Sequence, residues 1–390
     1  MLPIRVWPLP RRPGAGHAGL RRLFSAQSKA IVYETYGRPL DVLKIHSFPL
    51  PDLGPADILV KFLASPINPA DINQVEGVYP LKPRFRTTEI SSATPLALAG
   101  NEGVVEIVDV GPQSRLHHAF NPGDRAIMRH TLFGTWRSFA VAAAQDLTRL
   151  PFTTAQISSV QAATASVNPT TALNMLTDFV DLQPGDWFIQ TGANSGVGRA
   201  AIQIAALRGI NSINVVRDRD DIDNLKQDLS SLGATHVVTD KEIADKGFRA
   251  TIKSWVATAG GKQIKLGLSC TGGDSTTNIA RQLSAGGHLV SYGGMARKPV
   301  TVPVSLLIFK DIHLHGYWLS RWSDAHPDEK ETVVNQIFDW INQGKLKHVP
   351  VNTWSWTDDL SDDERLQVFK HAVKTYIDGA HGVKQVLVQT

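Results

Sequence analysis

The stretch from Trp187 to Ala205 constrains the fold of this chain more than any other segment. An apolar run at Trp187 to Ile189 leads into the glycine-rich turn Gly192 to Gly198, and apolar residues then recur at helical spacing. This order predicts a strand, a tight turn and a helix. Glycines let the backbone approach a diphosphate closely, and the free N–H groups that start a helix favour an anion. The turn is therefore predicted to hold a dinucleotide.

On its own the turn also fits an ordinary strand-to-helix connection, because Ser195 stands where a glycine could complete the strict motif. A second apolar run, Ile213 to Val216, follows the helix as a βαβ unit requires, and it ends in Arg217-Asp218-Arg219. An acidic side chain at this point bonds the ribose of NAD, whereas guanidinium groups pair with a 2′-phosphate. The two arginines thus favour NADPH. In the alternative, both arginines are solvated and Asp218 faces the ribose.

The basic excess of the chain is confined to its N-terminal segment. The sequence has 40 basic and 36 acidic residues, and from Glu34, the first acidic residue, 34 basic residues face all 36 acidic ones. No nucleic-acid partner is therefore expected. The Arg-rich segment 1–24, which lacks Asp and Glu, is typical of a mitochondrial transit peptide, with a disordered tail as the alternative. No apolar run approaches the ~18 residues of a membrane span, so none is expected.

Cys270 is the only cysteine of the chain. A single thiol excludes a disulfide within the chain and any zinc site that needs several thiolates, so no metal site is expected. Cys270 ends the apolar run that begins at Leu266. It is therefore predicted to be a small core residue rather than a nucleophile.

Apolar runs and turn residues divide the chain into three parts and predict an α/β fold. Short runs bounded by Gly, Pro, Asn and Asp indicate a β-rich domain over 25–150. Alternating strand and helix patterns over 151–322 indicate a doubly wound parallel sheet, whose strands end at the cofactor. Residues 323–390 are expected to return to the first domain, where a last strand at 382–388 pairs. Pro299 to Phe309, rich in β-branched residues, is expected at a sheet edge or an interface, because its prolines would remove bonds from a central strand.

Seven short motifs make the chain resemble a known family. They are Asn68 to Asn73, Gly77 to Tyr79, Gly100 to Gly103, Asn194 to Gly198, Arg217 to Arg219, Tyr292 to Met295 and His315 to Leu319. Over Ser28 to Thr390 the chain is similar to the medium-chain dehydrogenase/reductase superfamily, and within it to the mitochondrial trans-2-enoyl-thioester reductases. The resemblance implies a GroES-like catalytic domain and a Rossmann-type cofactor domain.

By that resemblance, Tyr79 is the catalytic acid and NADPH is the cofactor. The residues that the resemblance places against NADPH are Asn168, Asn194, Ser195, Gly196, Val197, Arg217, Asp218, Arg219, Tyr292, Gly293, Gly294, Met295, Tyr317, Trp318, Leu319 and Lys384. It also implies a homodimer in the mitochondrial matrix that serves fatty acid synthesis and acts on trans-2-enoyl-CoA or enoyl-acyl-carrier protein. Zinc-dependent members have a histidine where this chain has Asn101, which argues against an alcohol dehydrogenase.

Reduction of an α,β-unsaturated thioester adds hydride to Cβ and leaves an enolate that must be stabilised and protonated at Cα. A phenol suits this step without a metal, because its pKa of about 10 keeps the proton in place at neutral pH. Tyr79 could instead be a packing residue, Tyr317 and Trp318 core residues, and Asn168 a helix cap. Two other functions stay open: an NADPH:quinone reductase of the same superfamily, and a non-catalytic NADPH-binding regulatory module.

Overall fold

The computed structural model describes residues 27–117, 120–379 and 382–389. The predicted transit peptide, residues 1–24, lies outside these described residues. The strands are β1 (Gln27–Tyr33), β2 (Lys44–Pro49), β3 (Asp57–Pro66), β4 (Ala97–Leu98), β5 (Val104–Val110), β6 (Arg125–Met128), β7 (Phe139–Ala143), β8 (Leu147–Leu150), β9 (Trp187–Thr191), β10 (Asn211–Val216), β11 (His236–Thr239), β12 (Ile264–Ser269), β13 (His288–Ser291), β14 (His313–Gly316), β15 (Val351–Ser355) and β16 (Lys384–Val388). The helices are α1 (Pro39–Val42), α2 (Pro69–Val75), α3 (Pro112–His117), α4 (Ser159–Ala163), α5 (Asn168–Thr177), α6 (Gly196–Leu207), α7 (Ile222–Ser231), α8 (Asp240–Ala244), α9 (Phe248–Thr258), α10 (Gly273–Gln282), α11 (Val304–Lys310), α12 (Leu319–Ala325), α13 (Pro327–Asn342) and α14 (Asp362–Ile377). Within these ranges, no helix is long and apolar enough to cross a bilayer.

The second half of the chain builds a parallel sheet with the strand order β11-β10-β9-β12-β13-β14. Every neighbouring pair is parallel, because at least one helix crosses over between consecutive strands. All five residues of β9 are buried, as expected for a central strand that helices cover on both faces. The predicted doubly wound α/β fold is confirmed, and the carboxyl ends of the strands share one edge.

The β-rich part contains two further sheets. One has the order β2-β1-β4, and the other has the order β15-β16-β3-β5-β6-β8, with β7 also paired to β3. The register between β3 and β5 shifts at two points, and such irregularities bend and twist a sheet. The larger of the two sheets carries α2 directly after β3, so it positions the segment that leads to Tyr79.

The last strand, β16, returns to this larger sheet. Residues 386–388 of β16 pair antiparallel with residues 64–66 of β3, and β15 lies on the other side of β16. This confirms the prediction that the C-terminal strand pairs with the first part of the chain. The division of the chain at residues 150 and 322 stays a prediction.

For Pro299 to Phe309 the sheet-edge expectation was wrong, because much of this segment forms the helix α11 rather than a strand, whereas the interface expectation stays a prediction. Pro303 stands at the N-cap, where extended backbone suits proline. Asp311 ends the helix in the left-handed conformation, with φ 51°. A short apolar run does not distinguish a helix from a strand by its pattern alone, and here the residues at its two ends decide.

The largest apolar core lies where the two halves of the molecule meet. Phe188 of β9, Leu173 of α5 and Val386 of β16 belong to the same buried cluster. Strands from both large sheets therefore pack around α5 and α6. This packing joins the larger β sheet to the parallel sheet through α5 and α6.

Candidate active site

The glycine-rich turn joins β9 to α6 with little room for side chains. Gly192 has φ 60°, and a Cβ there would lie 2.5 Å from Cys270 Sγ. A Cβ at Gly198 would lie 2.6 Å from Ala193 O. Ser195 caps α6, since its hydroxyl accepts a hydrogen bond from Gly198 N–H at 3.1 Å. The helix thus begins at a bare backbone surface rich in N–H groups, and this surface fits a diphosphate.

Asn168, the first residue of α5, lies directly against this turn. A Cβ at Gly196 would collide with Asn168 Nδ2, so the glycine lets the amide come close. The N-cap of α5 is the preceding residue, which removes the helix-capping alternative for Asn168. Asn194 is buried in the turn, where Gly382 of the C-terminal segment approaches its carbonyl. Val197 is half-buried against the apolar core.

The two arginines after β10 lack the close ion pair that the acidic residue between them makes. Lys241 Nζ lies 2.6 Å from Asp218 Oδ2 and lowers the pKa of Asp218. The Asp218 carboxylate is thus already neutralised by a neighbouring cation. Arg217 is exposed. The Arg219 guanidinium lies 3.9 Å from the Asp221 carboxylate, which makes at most a weak ion pair. This arrangement favours the arginines over Asp218 as the groups that meet the ribose and its phosphate.

Residues 292–295 follow β13 at the same edge of the parallel sheet. Met295 N–H donates to Cys270 O at 2.9 Å, which folds the segment over the end of β12. A Cβ at Gly293 would lie 3.1 Å from Cys270 O, whereas Gly294 faces open space. Tyr292 is half-buried, the Met295 side chain is exposed and Cys270 is buried, in keeping with a core thiol.

Tyr79 meets Trp318 across the junction of the two halves. The phenol lies in the loop after α2, where Val78 N–H and Tyr79 N–H both donate to Asn73 O. Trp318 Nε1–H donates to Tyr79 Oη at 2.7 Å, and the two rings pack edge to face. Burial raises the pKa of Tyr79, and hydrogen bonds from Trp318 and Ser320 partly oppose the rise. The phenol therefore keeps its proton at neutral pH.

Tyr317 and Leu319 flank Trp318 but their side chains lie elsewhere. The Tyr317 ring is buried in the core beside Phe179, and its hydroxyl accepts a hydrogen bond from Asn174 Nδ2 at 2.9 Å. The Tyr317 ring is thus a core side chain, as the alternative interpretation had it. Tyr317 could then contact a cofactor only through its backbone. Leu319 packs half-buried against the same core. The roles of all three residues toward a cofactor stay predictions.

Lys384, one of the predicted cofactor residues, belongs to a polar network with Asn68 and Glu102. This network was not predicted from the sequence. Its Nζ donates to Asn68 Oδ1, and Asn68 Nδ2 donates to Glu102 Oε2 at 2.9 Å. Glu102 Oε1 in turn accepts from Ser166 Oγ at 3.1 Å and from Val167 N–H at 2.9 Å. The one sequence signal for Asn68 and Glu102 is that each stands inside one of the short motifs.

Asn101 joins α2 to the neighbouring loop through its amide. Its Nδ2 donates to Asp71 Oδ1 and to Gln74 Oε1, the latter at 2.7 Å, and its Oδ1 accepts from Leu132 N–H at 2.8 Å. Burial raises the pKa of Asp71 to about 6. In the part of the chain that the structure describes, no group of three or more His, Cys, Asp and Glu residues could hold a metal ion.

Comparison with known proteins agrees with this geometry. Residues 196–338 match the family described as zinc-binding dehydrogenase. The chain is 45% identical over 378 residues to the mitochondrial enoyl-[acyl-carrier-protein] reductase of Yarrowia lipolytica, a match that covers 97% of this chain and 96% of that protein. It is 43% identical over 322 residues to the protein of the same name from Homo sapiens, covering 82% and 80% of the two chains.

Solved structures are similar over almost the whole chain. The complex of Etr1p with NADP and crotonyl-CoA has a TM-score of 0.87 at 38% identity, covering 93% of this chain and 99% of that chain. The Etr1p/Etr2p heterodimer of the mitochondrial 2-enoyl thioester reductase from Candida tropicalis has a TM-score of 0.87 at 39% identity, with the same coverage of 93% and 99%. The chain therefore belongs to the family of mitochondrial enoyl-[acyl-carrier-protein] reductases.

Proposed function

We propose that this protein reduces trans-2-enoyl thioesters of CoA or acyl-carrier protein to saturated thioesters, with NADPH as the reductant. The observation that carries the proposal is the 2.7 Å hydrogen bond from Trp318 Nε1–H to Tyr79 Oη. This bond brings a phenol from the β-rich part to the strand edge where the predicted cofactor residues collect. The similar protein Etr1p, solved with NADP and crotonyl-CoA, supports the same cofactor and class of substrate.

The residues at this edge fit the groups of NADPH in turn. The bare backbone at the start of α6, together with Asn168, would hold the diphosphate. Arg217 and Arg219 would pair with the 2′-phosphate, and residues 292–295 and Trp318 would line the nicotinamide end. When bound, NADPH supplies the hydride that adds to Cβ of the thioester.

Tyr79 is the acid in this proposal. As negative charge develops on the thioester oxygen and Cα, the Tyr79 O–H can donate a hydrogen bond and then transfer its proton to Cα. The phenol is protonated beforehand because burial raises the pKa of Tyr79. The phenolate that forms accepts the Trp318 N–H bond, and water then returns the proton.

The experiment that tests this function measures NADPH oxidation with trans-2-enoyl-CoA and with a simple quinone. We expect Tyr79→Phe to lower kcat with the thioester by about 100-fold or more, the scale of a lost proton donor, while the Kd for NADPH stays within about twofold. Tyr36→Phe is the matched control, because it removes one hydroxyl from an exposed tyrosine and keeps the ring that packs beside Gly77; its kcat should equal that of the wild type.

Three results would contradict the proposal. Tyr79→Phe could reduce the thioester at the wild-type rate, which would remove the acid. Wild-type protein could reduce the quinone alone, which favours the quinone reductase. Wild-type protein could bind NADPH without reducing any enoyl thioester, which favours the regulatory module.

We also infer that two copies of the chain form a homodimer through the face made by α11 and β14. On α11, Val304, Ile308 and Phe309 have exposed fractions of 64, 67 and 81%. Leu314 of the adjacent strand β14 is 50% exposed. Among the described strands β14 pairs with β13 alone, so its other side presents unpaired backbone groups. An apolar face beside an open strand is a surface that association buries.

We further propose that the protein works in the mitochondrial matrix, in the last reductive step of fatty acid synthesis. The Arg-rich segment 1–24 and the mitochondrial names of the relatives support this location. In mitoplasts treated with protease, the full chain should be protected until detergent is added, and a chain without residues 1–24 should stay outside. Digestion of the full chain in intact mitoplasts would contradict the matrix location.

A further inference from the structure

Glu102 is a buried carboxylate to which neither the sequence nor the reaction assigns a role. Its exposed fraction is 2%, and it accepts three hydrogen bonds. Asn68 Nδ2 donates to one oxygen at 2.9 Å, and Ser166 Oγ and Val167 N–H donate to the other at 3.1 and 2.9 Å. Buried charge-assisted bonds of this kind are strong and fix geometry.

The partners of Glu102 stand at the starts of two helices that serve opposite sides of the site. Asn68 is the N-cap of α2, and the far end of α2 leads to Tyr79, whose N–H donates to Asn73 O. Val167 is the N-cap of α5, and the next residue, Asn168, lies against the glycine turn. One carboxylate therefore connects the helix of the proton donor to the helix beside the cofactor turn.

Lys384 fixes the orientation of the Asn68 amide. Its Nζ donates to Asn68 Oδ1, so the amide NH₂ must face Glu102. The Lys384 charge also interacts with the carboxylates of Glu102 and Asp71. If the amide turned over, its NH₂ would face the ammonium group, donor against donor.

We propose that Glu102 is a positioning residue of the reaction, which sets the distance between the Tyr79 hydroxyl and the substrate held beside the cofactor. The proposal rests on the function proposed above, in which Tyr79 is the acid. A misplacement of about 1 Å at a reacting centre can cost about 100-fold in rate, so an anchor between the two helices controls kcat rather than affinity.

The test exchanges the two partners of the central hydrogen bond. Glu102→Gln keeps the shape of the side chain, and one oxygen can still accept from Ser166 and Val167. Its new NH₂ then faces the Asn68 NH₂, so two donors oppose each other. Turning the Asn68 amide would set its NH₂ against Lys384 Nζ, and turning the Gln amide would set its NH₂ against Val167 N–H. The double variant Asn68→Asp/Glu102→Gln restores the pattern, because the carboxylate at position 68 accepts from both Gln NH₂ and Lys384.

We expect Glu102→Gln to lower kcat with trans-2-enoyl-CoA by about 10- to 100-fold, while the Kd for NADPH and the KM for the thioester change by about twofold or less. The double variant should recover most of kcat. Asp186→Asn is the matched control: Asp186 is equally buried and pairs with Lys265, but it lies at the opposite end of β9. It should lower the melting temperature and leave kcat unchanged.

The proposal is overturned if folded Glu102→Gln keeps the wild-type kcat, or if the double variant is inactive or unfolded. It is also overturned if Asp186→Asn loses as much kcat as Glu102→Gln. Should Glu102→Gln itself not fold, activity of the double variant decides. A wild-type enzyme that reduces no enoyl thioester contradicts the proposed function and removes this inference with it, whereas an active wild type with an unimpaired Glu102→Gln contradicts the inference alone.

Discussion

Arg217 and Arg219 stand at the end of β10 with weak local ties. Arg217 is exposed, and the nearest acidic group to Arg219 is 3.9 Å away. The Asp218 carboxylate forms its ion pair with Lys241 instead. Both guanidinium groups can therefore turn toward a phosphate without breaking a strong interaction within the chain.

We expect Arg217→Ala/Arg219→Ala to raise the KM for NADPH by about 100-fold and to leave the KM for NADH nearly unchanged. Each charge-assisted bond to a phosphate is worth about 1.5–3 kcal/mol, and NADH has no 2′-phosphate to lose. Steady-state kinetics with both cofactors measures this, with Arg249→Ala on α9 as the control for a lost exposed cation. An equal rise for both cofactors would show that the arginines do not read the phosphate.

Residues of the site could be predicted from the sequence where they belong to a short motif at the end of a strand. The glycine turn and the arginines after β10 are such cases, since spacing alone puts them at the end of a strand. The meeting of Tyr79 with Trp318 is different, because 239 residues separate the two side chains. Glu102 and Val167 are 65 residues apart, and their hydrogen bond depends on tertiary packing that brings the loop before β5 to the start of α5. Pattern within a segment does not encode such contacts.

At the scale of elements, α11 and β14 form a surface that the rest of the described chain leaves uncovered. We expect Ile308→Glu to convert a dimer into a monomer at micromolar concentration, because it buries a charge without a partner in an apolar contact. Sedimentation velocity measures the mass, and circular dichroism checks the fold. Ile377→Glu is the control, since Ile377 is also exposed but ends α14.

An Ile308→Glu protein that keeps the mass of a dimer would place the interface elsewhere. A wild-type protein that sediments as a monomer at these concentrations would contradict the homodimer itself. The first result would contradict only the location of the interface, whereas the second would contradict dimerisation.

Strands and helices of the parallel sheet could be predicted because a helix separates each strand from the next. The failure of the sheet-edge prediction for Pro299 to Phe309 has a local cause. Its apolar and β-branched residues suit either a strand or a buried helix, and the helix follows from Pro303 at the N-cap and Asp311 in the left-handed conformation. The left-handed conformation of Asp311 cannot be read from composition.

At the scale of the whole molecule, Asp71 makes stability depend on pH. Burial raises the pKa of Asp71 from 3.8 to about 6, opposed by bonds from Asn68 and Asn101 and by Lys384. Because the folded protein binds this proton more tightly than the unfolded chain does, the contribution is fully present below pH 4 and is lost as the pH rises to about 6. A shift of about two pKa units corresponds to about 3 kcal/mol.

We therefore expect the stability of wild type relative to Asp71→Asn to fall between pH 4 and pH 7, by about 3 kcal/mol. Thermal unfolding of both proteins across this range measures the difference, which cancels the titration of groups that they share. A difference that stays level or grows with rising pH would show that the buried carboxyl is not held in its protonated form.

Strand β16 follows every other described strand in the chain, yet it occupies an inner position in its sheet, between β15 and β3. The parallel sheet ends at Gly316, so that half of the molecule can fold while the C-terminus is still being synthesised. The half with Tyr79 must wait for Lys384–Val388 before its sheet is closed and its polar network has a cation. A chain that stops before Lys384 would therefore carry its parallel sheet beside a second sheet that lacks an inner strand, and synthesis of residues 384–388 is what closes that second sheet.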